Sequence, residues 1–337
     1  MAELLEVKRL FTRFHTEDGV VPAVQNVSFH VGHGESLGIV GESGCGKSVT
    51  CLSVMRLIPT PGVINADSVK LDGKELLDLS ERKMQDVRGN EMAFIFQEPM
   101  TSFNPVFTIG YQLEEAIRLH QKLDKVRARE ESISALKAVG IPRPEQVVDE
   151  YPHALSGGMR QRAMIAMAIS CKPKLIFADE PTTALDVTIQ AQILELLNEL
   201  KKSLNTAIVY ISHDLAVIAE MTERVLVMYC GYIVENADID SLFKNPKHPY
   251  TVGLLNSKPD LKREDEKLKP IPGTVPNPLH LPKGCPYHPR CEHAMDICRE
   301  RLPEVTTVSD DEGTEKPHQV RCWLYPENNT TREDTSK

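Results

Sequence analysis

A chain of 337 residues is long enough for about two domains and a sizeable buried core. Hydrophobic residues make up 41% and charged residues 26%, which excludes wholesale disorder, a fibre or a disulfide-stapled mini-protein. Lys and Arg number 39 against 48 Asp and Glu, and the resulting net charge of −9 repels polyanions, so general nucleic-acid binding is not expected.

Residues 1–19 scatter charges where a secretory leader needs an unbroken apolar stretch, so the chain is expected to stay in the cytoplasm. The longest apolar runs, such as Ala163 to Ile169, fall far short of the ~20 residues that cross a bilayer. A membrane role would have to come through partners.

In chain order, β-rich runs at Leu4 to Phe11 and Val24 to Val31 precede an apolar strand at Leu37 to Val40. A glycine-rich loop follows, then a helical segment ending near Leu57, a short strand at Ser68 to Leu71 and another at Met92 to Phe96. Residues ~98–170 read as an inserted helical subdomain, with one charged helical stretch from Gln121 to Val139 and a Pro-containing loop from Ile141 to Pro152. Strands at Leu175 to Ala178, Ala207 to Ile211 and Val225 to Met228 are wholly apolar, which implies a sheet covered on both faces. Between the first two, Val187, Ile189, Ile193, Leu194, Leu196, Leu197 and Leu200 form the stripe of an amphipathic helix. The alternation predicts an α/β architecture over residues 1–258. A charged, Pro-rich linker and a small Cys-containing module are expected over 259–325, and a flexible tail over 326–337.

The strongest local signal is Gly41-Glu42-Ser43-Gly44-Cys45-Gly46-Lys47-Ser48, with Val49 next in line, between a strand and a helix. Glycines let backbone N–H groups turn inward around phosphate oxygens, Lys47 adds a point charge and the Ser48 hydroxyl suits Mg²⁺. A second acidic element, Asp179-Glu180, closes the strand at Leu175 to Ala178, where parallel sheets bind ligands. Asp179 suits Mg²⁺, and Glu180 is placed to polarise an attacking water. Between them, Ser156, Gly157 and Gly158 open a helix and form another anion site. One chain does not need two γ-phosphate sites, so this helix end is expected to reach the nucleotide of another subunit.

These motifs together resemble the nucleotide-binding subunit of an ABC transporter. The resemblance covers residues ~4–258, with a Walker A at Gly41–Ser48, a signature at Leu155–Met159, a Walker B ending at Asp179 and a D-loop ending at Asp186. It implies a P-loop NTPase fold with an antiparallel β-subdomain and a helical subdomain. It also implies Gln97 as the Q-loop residue that bridges Mg²⁺ and the membrane subunits, and His213 as the switch histidine at the γ-phosphate. An aromatic residue that stacks on adenine is implied as well; Phe14 is the choice, with Phe11 as the competitor. Met159 stands where Gln is common in the signature, so the ribose contact made by that Gln does not carry over.

The C-terminal quarter narrows the group. Lys247-His-Pro-Tyr-Thr251, Ile271-Pro-Gly-Thr-Val-Pro276 and Cys285-Pro-Tyr-His-Pro-Arg-Cys291 resemble the tail of oligopeptide and dipeptide importer ATPases, a group with nickel-importing relatives. Cys285, Cys291, Cys298 and Cys322 form a C-x5-C-x6-C-x23-C thiol set able to hold a metal centre. The resemblance implies a [4Fe–4S] cluster there; Zn²⁺ and plain reduced cysteines are the alternatives, and His288 and His293 read as loop residues. The family also implies ATP with Mg²⁺, two transmembrane permease subunits, a second ATPase subunit, an extracytoplasmic substrate-binding protein, and a place on the cytoplasmic face of the membrane.

Overall fold

The structure is a computed structural model that describes residues 3–183, 185–257, 270–308 and 317–325. Two long strands, β1 (Glu3–Thr16) and β2 (Gly19–Gly32), form an antiparallel hairpin, and β3 (Ser36–Val40) leads into α1 (Lys47–Val54). Three short strands follow, β4 (Gly62–Asn65), β5 (Ser68–Leu71) and β6 (Lys74–Glu75), then α2 (Glu81–Val87) and β7 (Met92–Ile95). The inserted helical region holds α3 (Pro99–Ser102), α4 (Ile109–Gln121), α5 (Lys125–Ala138), α6 (Pro144–Val147) and α7 (Gly157–Ile169). The alternation then resumes with β8 (Leu175–Asp179), α8 (Val187–Leu204), β9 (Ala207–Ile211), α9 (Leu215–Met221), β10 (Arg224–Tyr229) and β11 (Tyr232–Asp238). After α10 (Ile239–Lys244) and α11 (Pro249–Asn256), the C-terminal stretch contributes α12 (Asp296–Glu300), β12 (Thr306–Val308) and β13 (His318–Val320).

The strands make two sheets. One is the antiparallel set β2-β1-β5-β6, with β4 also on β1; the other runs β12-β13-β11-β10-β3-β9-β8-β7, parallel from β10 through β7. Strict alternation along the parallel strands splits the interior into two cores. Ile176, Ala178, Ile208, Tyr210, Val225 and Val227 face the core shared with the helical region, whereas Leu175, Phe177, Val209, Ile211, Leu226 and Met228 face the core shared with β1 and β2. The wholly apolar strands of the sequence are therefore covered on both faces, as expected.

Several local boundaries differ from the sequence reading for identifiable reasons. The stretch from Gln121 to Val139 is interrupted: Lys122 takes a left-handed conformation at the end of α4, and the Asp124 carboxylate accepts from Val126 and Arg127 N–H groups to start α5. The loop from Ile141 to Pro152 contains the single turn α6, begun by Pro144. In α8, Val187 is 84% exposed rather than part of the buried stripe, because it lies in the first turn beside the Asp186 cap. Phe96 lies outside β7 and is exposed, tilted against Phe94 with ring centroids 4.6 Å apart.

The C-terminal extension shares the main sheet: β13 pairs with β11. The expected linker at 259–269, the tail at 326–337 and Ala184 of the D-loop lie outside the described residues. Glu235 of β11, 0% exposed, anchors two other segments at once. Its carboxylate accepts from His318 Nε2 at 2.7 Å and from the N–H groups of Lys247 and His248 at 2.7 and 2.9 Å. Among the described residues, no helix is long and apolar enough to cross a membrane. Leu197→Ala, which opens a cavity beneath α8 in the core shared with the helical region, should lower stability by about 3 kcal/mol in urea denaturation.

Candidate functional site: the phosphate loop and its carboxylates

Strand β3 ends beneath a loop whose shape only glycine permits at two points. Gly41 has φ +151°, and a Cβ there would sit 2.3 Å from the Met228 carbonyl oxygen; Gly46 has φ +102°, and its Cβ would sit 2.4 Å from the Ala23 carbonyl oxygen. The loop is thus wedged between β10 and β2. Lys47, 7% exposed, points back into it: Nζ donates to the carbonyls of Gly41 at 2.8 Å and Glu42 at 3.0 Å. Cys45 is buried with its thiol pushed up by that burial, so it contributes packing and a backbone N–H. Helix α1 is held from below by Ser53, whose hydroxyl pairs with that of Thr12 on β1 at 2.6 Å.

The carboxylates arrive from β8. Asp179 is 7% exposed and hydrogen-bonds the Ser48 hydroxyl; burial raises its pKa, and the Ser48 contact only partly offsets this. The Ser48 hydroxyl and Asp179 carboxylate are oxygen donors of the kind Mg²⁺ takes, and their contact places them together. Glu180 adopts a left-handed φ of 45°, which turns its side chain away from the strand direction. Its carboxylate collects three partners: Gln97 Nε2 at 2.9 Å, Thr183 Oγ1 at 2.8 Å and His213 Nδ1 at 2.8 Å. Burial pushes this carboxyl up, but the hydrogen bonds from His213 and Thr183 outweigh it and hold the pKa below the ordinary glutamate value. Because Glu180 is kept ionised, Nδ1 of His213 carries the proton. Three segments distant in sequence therefore meet at one carboxylate, and Thr183 is a member the sequence reading did not include.

The signature lies elsewhere. Ser156 caps α7 by accepting from Met159 N–H, Asp186 caps α8 by accepting from Ile189 N–H, and both caps border one surface cavity of about 510 Å³ that Gly157 and Gly158 also line. No Walker A residue lines that cavity. Gln161 of α7 ties the helix to the carboxylate strand, with Nε2 donating to the Pro181 carbonyl at 2.6 Å.

Phe14 is half-buried and shares the β1 face of Thr12, the side of α1, whereas Phe11 lies on the opposite face with the Arg13 guanidinium 5.8 Å from its ring centroid.

Two groups from the C-terminal part reach the loop and were not foreseen. The Glu42 N–H donates to Tyr250 Oη at 2.8 Å, and Arg290 binds the Glu42 carboxylate through both terminal nitrogens at 2.7 and 3.1 Å. Tyr250 stood in the quoted Lys247–Thr251 motif, which acquires a physical meaning here. Glu235 fixes the backbone of Lys247 and His248, and burial lowers His248 to about pKa 4, so its neutral ring accepts from Tyr250 N–H and caps α11.

Cys285, Cys291, Cys298 and Cys322 converge on one small cavity of about 10 Å³, with His248, His288 and His293 at its walls. All four thiols are free. Burial pushes Cys285 up to about 11 and Cys322 to about 12. His288 directs Nδ1 to the Cys285 carbonyl at 2.9 Å, a loop contact. Among the described residues, no three His, Cys, Asp or Glu side chains stand in an arrangement that holds a metal ion. The sequence-level expectation of a bound cluster therefore finds the four thiols gathered without metal-ligand geometry.

Comparison with known proteins agrees with this layout. A family model described as ABC transporter matches residues 24–183, and one described as oligopeptide/dipeptide transporter, C-terminal region, matches residues 234–298. The chain is 51% identical to the oligopeptide transport ATP-binding protein AppD of Bacillus subtilis, over 97% of this chain and 98% of that one. It is 48% identical to the dipeptide transport ATP-binding protein DppD of Escherichia coli, over 91% and 94%. Among solved structures, an ATP-binding cassette in a dimeric post-hydrolysis state with ADP and Pi superposes with a TM-score of 0.62 at 26% identity, covering 70% of this chain and 98% of that chain. A P-loop at the β3 end wedged between β10 and β2, a buried Walker aspartate on Ser48 and a C-terminal region of the peptide-transporter type thus belong together: the chain is a member of the ABC transporter family, an ATP-hydrolysing subunit of its oligopeptide/dipeptide group.

Proposed function

We propose that this subunit couples ATP binding and hydrolysis to the uptake of di- and oligopeptides across the cytoplasmic membrane. It would be docked on two permease subunits and fed by an extracytoplasmic binding protein. The observation that carries the ATPase mechanism is the Glu180 carboxylate, held ionised by His213 and Thr183 and hydrogen-bonded by Gln97, directly beside the Asp179–Ser48 pair. The peptide assignment draws on the C-terminal region and on relatives named for peptide transport. The same ATPase role for nickel or another solute is the outcome that transport assays would separate.

In this reading the N–H groups of residues 41–48 cradle the phosphates, and the Lys47 ammonium exchanges its two carbonyl partners for phosphate oxygens. Ser48, Asp179 and Gln97 would hold Mg²⁺, which neutralises charge on the phosphates. Glu180 accepts a proton from the attacking water, and His213 orients that water and steadies the carboxylate. Phe14 takes the adenine face. Ser156, Gly157, Gly158 and Asp186 act on the nucleotide of a second ATPase subunit, identical or paralogous, a reading supported by their cavity being separate from the Walker A loop. The four cysteines would hold an iron–sulfur cluster, their thiols losing protons as it binds, and the cluster would serve as a structural staple; their convergence on one cavity supports the donor set.

Glu180→Gln should keep ATP affinity, lose most turnover and accumulate an ATP-bound dimer, read by nucleotide titration, phosphate release and size-exclusion chromatography; near-normal hydrolysis would remove Glu180 as the base. Ser156→Arg should bind ATP as a monomer yet fail to dimerise, and a variant that still pairs on ATP contradicts the action in trans. Anaerobically purified protein should contain iron and acid-labile sulfide in amounts that drop in Cys291→Ser. Stoichiometric zinc without sulfide assigns the thiols to zinc instead, and absence of both metals leaves them as ordinary cysteines.

A further inference from the structure

The phosphate loop contains an acid, Glu42, directly after its first glycine, although its ligand is a polyanion. An unscreened carboxylate at this place would repel ATP phosphates in a partly desolvated site. The chain places a cation against it from 248 positions away. Arg290 is only 4% exposed at its side chain, and every polar nitrogen is engaged: Nη1 and Nη2 on the Glu42 carboxylate, Nε on the Pro272 carbonyl at 2.9 Å, and Nη1 also 3.4 Å from Tyr229 Oη. Such a buried, bidentate and fully satisfied guanidinium differs from a surface ion pair, whose partners wander and whose charges are screened.

We infer that Arg290 is a positioning residue for nucleotide binding, which neutralises Glu42 within the phosphate loop so that the loop remains receptive to ATP. The inference rests on ATP binding at the loop and not on the identity of the transported solute or on any metal at the cysteines. It makes the C-terminal extension part of the nucleotide site. The alternative is a clasp that merely fastens the extension to the core, for which the charge of Glu42 would be irrelevant once the fold is intact.

The two differ in sign on one variant. In the full-length chain, Arg290→Gln leaves the Glu42 charge uncompensated and should weaken Mg·ATP affinity and raise the KM for ATP by on the order of tenfold, with a smaller effect on kcat. Adding Glu42→Gln to that variant should recover most of the loss, and Arg290→Lys should retain most of the affinity. Glu42→Gln alone leaves the Arg290 cation unpaired beside the phosphates and should tighten ATP binding by roughly a few-fold. If Arg290→Gln leaves affinity unchanged, or the double variant binds as weakly as the single one, the inference falls. Should Arg290→Gln fail to fold, Glu42→Gln alone decides: tighter binding supports charge compensation, and equal or weaker binding overturns it. Titration of the unaltered chain with Mg·ATP tests the nucleotide site itself, so failure there is told apart from failure of the Arg290 assignment.

Discussion

A buried ammonium that rests on backbone carbonyls, with no carboxylate in salt-bridge contact among the described residues, organises this molecule. Lys47 sits at the N-terminus of α1 with its charge resting on two loop carbonyls, an arrangement far weaker than an ion pair and therefore open to exchange for phosphate oxygens. To hold that charge in place, the loop must bend inward over it, which demands glycine at positions 41 and 46 and brings the loop against backbone oxygens of β10 and β2. Both sheets are thus committed to the shape of a single turn. The carboxylates of Asp179, which ends β8, and of Glu180 just beyond it are too well occupied by Ser48, Gln97, Thr183 and His213 to collapse onto Lys47.

Much of this was legible in the sequence because it depends on local chemistry. The strands at Leu37, Leu175 and Ala207 are apolar runs that only a doubly covered parallel sheet explains, and the phosphate loop needs its residue types at fixed spacing. Boundaries depended on single caps, and these were legible only in part: Asp124 interrupts what reads as one charged helical stretch, and Asp186 leaves Val187 outside the buried stripe. The contacts among distant segments left no periodic trace. Thr183 looks like any polar turn residue until Glu180 adopts a left-handed backbone, and nothing near Glu42 announces an arginine from the far end of the chain.

The C-terminal region reads as a recurrent pattern rather than as a mechanism until its contacts are drawn. Its groups gather around Glu42: Tyr250 receives the Glu42 N–H, Tyr250 and Tyr287 pack with Tyr229 of β10 as a ring cluster, and Arg290 binds the carboxylate. Two cysteines follow buried arginines directly, Cys291 after Arg290 and Cys322 after Arg321, whose Nη1 donates to the Pro303 carbonyl at 2.9 Å. The thiol cavity and the nucleotide loop are thus two sides of one packed layer.

The position of β13 between β11 and β12 has a consequence for how the chain is made. The main sheet gains this strand from residues 318–320, translated long after β3 and the glycine turn of the same sheet. In a nascent chain β3 and the glycine turn wait for β9 and β10, and Glu42 waits longer still, for an arginine 248 positions further on. A product that stops before Arg290 would carry the complete nucleotide motifs and still present Glu42 without its partner, so the C-terminal region completes a loop built far upstream.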